Sequence, residues 1–169
     1  MAEAEQDDIL DTAQARRRFT AISGSLGAAY EVADGWRIGL NSSYTERAPS
    51  AEELVPNRPH AGTQAYEIGD PDLEKETSKG LELTLRGNGE GFALSASLYQ
   101  SWFGNFIYEL PNGETIDGLP LFQFQQNKAR HYGAEFEASL RLGTIGAFTL
   151  NLDSVGDVSR ATISAPNGK

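Results

Sequence analysis

Trp36-Arg-Ile-Gly-Leu-Asn-Ser-Ser-Tyr44 sets Trp36, Ile38, Leu40 and Tyr44 against Arg37, Asn41 and Ser43. Successive side chains of an extended chain point to opposite faces, so this alternation predicts a strand with one apolar side. The same period extends both ways along the chain. Upstream, Ile22, Leu26, Ala28, Tyr30 and Val32 share a face against serines, Gly27 and Glu31. Downstream, Leu81, Leu83 and Leu85 oppose Glu82, Thr84 and Arg86, and Phe92, Leu94, Ala96, Leu98 and Trp102 oppose Ser95, Ser97 and Ser101. Tyr132, Ala134, Phe136, Ala138, Leu140 and Leu142 then oppose Gly133, Glu135, Glu137, Ser139 and Arg141, and Phe148, Leu150 and Leu152 oppose Thr149, Asn151 and Asp153. The chain reads as six strands and no helix.

The connections alternate in length. Ala33 to Gly35, Gly87 to Gly91 and Gly143 to Gly146 are short and glycine-bearing, as hairpin turns are. Between them lie Glu46 to Ser78 and Asn105 to Asn127, both long and rich in Pro, Gly, Asn and acids. In an up-and-down antiparallel sheet this order puts every tight turn at one end and every long loop at the other, the polarity of outer-membrane barrels.

Composition narrows the field. The 169 residues carry 14 Lys+Arg against 24 Asp+Glu, a formal net charge of -10, and no cysteine. The acidic surplus opposes sequence-independent binding to nucleic acid, which depends on neutralising phosphates. Disulfides, thiolate metal sites and cysteine nucleophiles are excluded. No apolar run reaches the ~18 residues of a helical span, and Glu3, Glu5, Asp7 and Asp8 replace the basic and apolar regions of a signal peptide. A transmembrane strand of ~10 alternating residues passes this test unseen.

The polar face is Ser, Thr, Asn and Gly with occasional Glu and Arg, a set suited to a wet, crowded interior. Trp36 and Tyr30 lie beside the first tight turn, Tyr44 and Trp102 away from the tight turns, like interfacial belts. Six strands are too few to close a transmembrane barrel, so a membrane reading makes this chain a portion of something larger. The plain alternative is a soluble all-β sandwich whose apolar face is an inner core and whose long loops bind a partner.

Tyr44-Thr-Glu-Arg-Ala-Pro-Ser-Ala-Glu-Glu-Leu54, then Pro59-His60, then Tyr66-Glu-Ile-Gly-Asp-Pro-Asp-Leu-Glu-Lys-Glu76 closely resembles the TonB-dependent outer-membrane receptors, with their Arg-Ala-Pro, Glu-Leu and Gly-Asn-Pro-x-Leu-x-x-Glu series. Asn127-Lys-Ala-Arg-His-Tyr-Gly-Ala-Glu-Phe-Glu137 resembles their Asn, Ala, Gly-x-Glu-x-Glu strand. The likeness covers roughly residues 19 to 160, in correct order and spacing. It implies a segment of a 22-stranded transmembrane barrel, plugged by an N-terminal domain and driven by the TonB complex through that missing part. It also implies the bacterial outer membrane as location and uptake of a scarce ligand, a siderophore or metal ion, as function. Glu46 departs from the aromatic residue that many relatives carry before the Arg.

On this basis residues 1–18 are an acidic N-terminal loop or linker segment, 19–160 a barrel segment with long outer loops 46–78 and 105–127, and 161–169 a loop tail. The bilayer would meet Trp36, Ile38, Leu40, Leu81, Leu83, Leu94, Leu98, Phe136 and Leu140. The lumen would meet Arg37, Asn41, Glu82, Arg86, Glu135, Glu137 and Arg141, with the two glutamates pairing with Arg37, Arg86 or Arg141. Pro59-His60, Gly62-Thr63 and Tyr66-Glu67 are most similar to the branch that includes zinc receptors. His60, with Glu67 or Asp70, is then a candidate transient metal contact, although one imidazole makes no tetrahedral site. No resident cofactor is expected; zinc or an iron-siderophore would be cargo.

Other signals fall away. Asp70, Asp72 and Glu74 open like a calcium loop, but Lys75 stands where Gly is needed and Leu81 where the bidentate Glu belongs. Gly87-Asn-Gly-Glu-Gly91 leads into a strand, so it is no phosphate cradle. Glu135 and Glu137, ~7 Å apart on one strand, cannot flank a glycosidic bond from two sides. A carbohydrate-active enzyme using Glu135 is the remote alternative; no catalysis is expected of the chain.

Overall fold

The computed structural model describes residues 2–3, 16–55 and 57–164. In chain order these form β1 (Ala2–Glu3), β2 (Arg16–Arg17), β3 (Ser23–Ala33), β4 (Trp36–Arg47), α1 (Ala51–Leu54), β5 (Asn57–His60), β6 (Ala65–Ile68), β7 (Glu76–Gly89), β8 (Phe92–Ile116), β9 (Leu119–Ile145) and β10 (Phe148–Ile163). β1 and β2 pair with each other. The remaining strands form one sheet in the order β3-β4-β7-β8-β9, and β9 shares its far edge between β10 and β6.

The six expected strands are all present, each antiparallel to its neighbour. The fold is that of an all-β, up-and-down barrel segment. Register ties the faces together: Tyr30, Ile38, Leu85, Ala96 and Phe136 form one row across the sheet, and Ala28, Leu40, Leu83, Leu98, Ala134 and Val158 form the next. These rows are uncovered. Leu26 is 81% exposed and Leu98 58%, because no second sheet packs on the apolar face among the described residues. A sandwich requires such a layer, so the soluble alternative loses its core.

The structure corrects the long loops. Residues 105–127 are not an irregular loop but the outer half of a hairpin, paired from Phe106↔Asn127 to Ile116↔Leu119. Asp117 (φ 52°) and Gly118 (φ 81°) close it with the two positive φ values that a two-residue hairpin turn demands. Register shifts between Phe103 and Phe106 and between Pro111 and Thr115 interrupt the ladder. The stretch 46–78 is also structured: β4 continues to Arg47, β7 begins at Glu76, and α1 and the β5–β6 hairpin lie between. β6 joins β9 in parallel at Leu121–Gln123, above the part of β9 that β10 occupies. Residues 161–163, expected in a loop tail, belong to β10, and Arg16–Arg17 of the expected N-terminal loop are strand β2; residues 165–169 and 4–15 lie outside the described residues.

The buried core sits at the outer end. Leu54, Leu73 and Ile107 pack together, flanked by Phe19, Val55 and Phe124.

Candidate functional site

Three surfaces carry the chemistry-bearing residues: the anchored outer loop, the hairpin β5–β6, and the polar face of the sheet.

The outer loop is fastened by the residues that carry the family resemblance. Arg47 Nη1 donates to both carboxylate oxygens of Glu53 at 2.9 and 2.8 Å, and its Nη2 donates to Glu76 at 3.3 Å. Glu53 also closes a capping box on α1, accepting from the Ser50 amide at 2.7 Å while its own amide donates to Ser50 Oγ at 3.2 Å. The same Glu76 oxygen accepts from the Ile107 amide at 3.0 Å, joining loop, β7 and β8. Glu46 accepts from Lys75 (2.6 Å), Tyr44 (2.9 Å) and the Ile22 amide (3.0 Å), so the departure at this position supplies an anionic hub where an aromatic ring was expected. Arg17 stacks 5.0 Å over Phe19 and donates to the carbonyls of Pro71 (2.6 Å) and Leu73 (2.8 Å). Between these polar ties Leu73 is 1% exposed and Leu54 3%.

At the β5–β6 hairpin His60 Nδ1 lies 3.3 Å from Glu67 Oε1, and Thr63 Oγ1 donates to the same oxygen at 2.8 Å. Asp70 is elsewhere: its amide binds the Glu53 carbonyl and its carboxylate accepts from the Asp72 amide. Of the three candidate metal contacts the structure thus joins His60 and Glu67 and separates Asp70. Among the described residues no group of three or more His, Asp or Glu is arranged to hold a metal ion. Glu109 belongs to this neighbourhood. Burial pushes its carboxyl above the ordinary range, the charge of Glu67 adds to the shift, and His60 opposes it.

On the sheet the register gathers Arg37, Asn41, Glu82, Arg86, Glu135, Glu137 and Arg141 on one face and the nine apolar candidates from Trp36 to Leu140 on the other. Arg37 and Arg86 are direct cross-strand partners, followed in the same row by Ser95 and Glu137. The expected ion pairs are not formed: among the described residues no arginine reaches Glu135 or Glu137 within 4.0 Å. β8 lies between these glutamates and Arg86, and β7 and β8 lie between them and Arg37, at ~4.8 Å per strand spacing. Instead Glu135, Glu137 and Asp157 border an open cavity of about 300 Å³ with Ser95 and Ser97.

Glycines make room for rings on both faces. A Cβ on Gly87 would lie 2.7 Å from the Trp36 ring, which in turn sits 5.9 Å from Phe92. On the polar face a Cβ on Gly133 would lie 2.5 Å from Tyr99 Oη, so the glycine seats the Tyr99 ring across β9, beside His131 at 5.3 Å. At the outer edge of the apolar face Tyr44, Lys79, Trp102 and Arg130 form a single row. Aromatic and cationic side chains in one row above an aliphatic band are the kind that favour a boundary between hydrocarbon and water.

A single-layer antiparallel sheet with an uncovered aliphatic band, a polar opposite face and elaborate connections at one end is the wall of a β-barrel. The sequence model of the family described as TonB dependent receptor-like, beta-barrel matches residues 4–168, and the chain belongs to that family. Among solved structures it is similar to the siderophore receptor PirA from Pseudomonas aeruginosa (18% identity, TM-score 0.61, 83% of this chain and 30% of that one). It is similar also to the copper transporter OprC (20% identity, TM-score 0.64, 85% and 20%). The FrpB iron transporter from Neisseria meningitidis matches at 16% identity and TM-score 0.53, over 86% and 21%. The chain therefore spans between a fifth and a third of the length of these structures, and none of the three names zinc.

Proposed function

We propose that this chain forms part of the wall and outer mouth of an outer-membrane receptor that takes up a scarce ligand with energy from the TonB complex. The observation that carries the reading is the registered separation of faces, with the apolar one left bare. From Phe92 to Trp102 a strand advances ~34 Å, which at a ~45° tilt covers ~24 Å, close to the ~25 Å apolar band of such barrels. Trp36, Ile38, Leu40, Leu81, Leu83, Leu94, Leu98, Phe136 and Leu140 meet lipid. Arg37, Asn41, Glu82, Arg86, Glu135, Glu137 and Arg141 line a lumen occupied by a plug, and the rest of the barrel pairs with the open edges of β3 and β10. The TonB complex acts through an N-terminal part of the receptor. The chain's contribution is positional and involves no catalysis.

The resemblance of Pro59-His60 and the residues after it supports zinc or another metal as cargo, with His60 and Glu67 as a transient contact at the mouth. His60→Ala in the intact receptor should slow growth under zinc starvation; unchanged uptake removes this role. The wider reading is tested by sedimentation of the isolated 169-residue chain. It should be aggregated or require detergent, and a soluble compact monomer would contradict it.

A further inference from the structure

Four of the chain's 14 Lys+Arg converge on the outer rim of the apolar face. Lys79 and Arg130 flank Trp102 in one cross-strand row, which Tyr44 completes. In the row below, Arg160 is the partner of Tyr132. Lys128 lies two residues beyond Arg130 along β9 and so on the same side. By strand spacing and rise, Lys79 and Arg130 stand ~10 Å apart, and Arg130 has Lys128 and Arg160 each within ~8 Å. All four are exposed, and among the described residues none forms a salt bridge. Glu46, the carboxylate on this side of β4, is held by Lys75 at 2.6 Å and Tyr44 at 2.9 Å.

The opposite end of the same face is uncharged. It closes on Trp36, Phe92 and Leu140, and no Lys or Arg takes a strand position in their rows. Snorkelling serves both edges of an apolar band alike, so it does not explain a rim charged at one end. Like charges gathered on one face repel, and a chain of net charge -10 has no surplus of bases to spread. A negatively charged partner at this level accounts for both facts. Beside the row, an open cavity of about 500 Å³ on β3 and β4 is lined by Ile22, Leu26, Tyr44 and Lys79. Gly24, the cross-strand partner of Tyr44, keeps this furrow clear, since a Cβ there would meet nothing within 4 Å. An apolar furrow beside an ammonium group suits a hydrocarbon chain with an anionic head.

We propose that this rim binds a phosphorylated lipid of the outer leaflet, with one phosphate on Lys79, a second among Lys128, Arg130 and Arg160, and an acyl chain along the furrow. Two phosphates are required because one cannot reach cations ~10 Å apart. Clustered Lys and Arg at the level of the headgroups give such lipids their affinity. The leaflet follows from the long connections, which gather at this end of the sheet. The site rests on the reading that the apolar face meets lipid.

The test uses the complete receptor, purified in neutral detergent without magnesium and titrated with bisphosphorylated lipid A, monophosphorylated lipid A or phosphatidylcholine. Native mass spectrometry reads the bound lipid. The bisphosphorylated lipid should bind several-fold more tightly than the monophosphorylated one and more tightly still than phosphatidylcholine, and salt should narrow the gap. Lys79→Gln combined with Arg130→Gln should weaken its binding by roughly tenfold or more, and Arg160→Gln by several-fold. Arg58→Gln, on β5, removes an equal charge elsewhere and should leave it unchanged, and heat-modifiable gel migration should show every variant folded. Equal binding of the bisphosphorylated lipid and either of the others, or indifference to the double substitution, would overturn the site. If the receptor still fractionates with the outer membrane in that case, the lipid site alone falls. If it is found in soluble fractions, the barrel reading falls with it.

Discussion

Arg47 and Glu76, 29 residues apart, meet at 3.3 Å on adjacent strands at the rim of the sheet, and Arg47 holds Glu53 of α1 with its other nitrogen. The pair fixes both ends of the outer excursion: one residue is the last of β4 and the other the first of β7. The Arg-Ala-Pro and Leu-x-x-Glu elements are thereby a mechanical unit that ties the two ends of this excursion together.

Arg47→Ala should therefore loosen the loop without unfolding the wall. Arg47 is 43% exposed, so each ion pair contributes modestly, and the expected cost is about 1 kcal/mol of local opening. Hydrogen exchange in the intact receptor should rise across residues 48–75 and stay unchanged in β7.

Leu73→Ala acts on the same loop through its core. Leu73 is 1% exposed, and removing a buried leucine costs about 2–5 kcal/mol, the low end applying to so small a cluster. Protease cutting within residues 48–75 should accelerate more than in Arg47→Ala.

Gly133→Ala tests the ring seat. A Cβ there meets Tyr99 Oη and the Val158 carbonyl, both at 2.5 Å, and the carbonyl belongs to the backbone. Overpacking of this kind costs about 1–3 kcal/mol. Denaturant midpoints of the refolded barrel should fall, and Tyr99→Ala in the same background should recover part of the loss.

The pH response of the β5–β6 hairpin follows from Glu109. Its carboxyl titrates above the ordinary 4.5 in the folded state because burial and Glu67 disfavour the charge. A carboxyl raised in the fold stabilises it fully below the unfolded value, and that contribution disappears as pH rises through the folded value. Exchange protection of residues 57–68 should fall over that window, and Glu67→Gln should move the window to lower pH.

The legible part of this fold was its period. The wall strands repeat every two residues, and rows such as Leu40, Leu83 and Leu98 follow from that alone. The outer hairpin was hidden by its irregularities. Asn105 (φ 54°) and Gly113 (φ 89°) mark the register shifts of β8, and Pro111 read as loop punctuation. Signals were present in Phe122-Gln-Phe-Gln125 and the Asp117-Gly118 turn. The capping box Ser50-x-x-Glu53 was likewise readable, but α1 spans four residues and has no apolar period to detect. Partnerships across the excursion, Arg47 with Glu76 or Glu46 with Lys75, join residues 29 apart and follow from no local pattern. The separation of Glu137 from Arg86 by the whole width of β8 also needed the strand order, because every arginine and glutamate on the polar face looks equally available in sequence.

The most direct test of the barrel reading is the environment of Leu98 and Ser97, neighbours on opposite faces of β8. Each is replaced by a spin-labelled cysteine in the complete receptor reconstituted in bilayers, and collision rates with oxygen and with a water-soluble nickel chelate are measured. The label at Leu98 should collide with oxygen and be shielded from nickel, the label at Ser97 should lack the lipid signature, and Leu98→Arg should cost about 2–4 kcal/mol of barrel stability where Ser97→Arg costs less. A lipid signature at Ser97, or equal access of the nickel chelate to both labels, would contradict it.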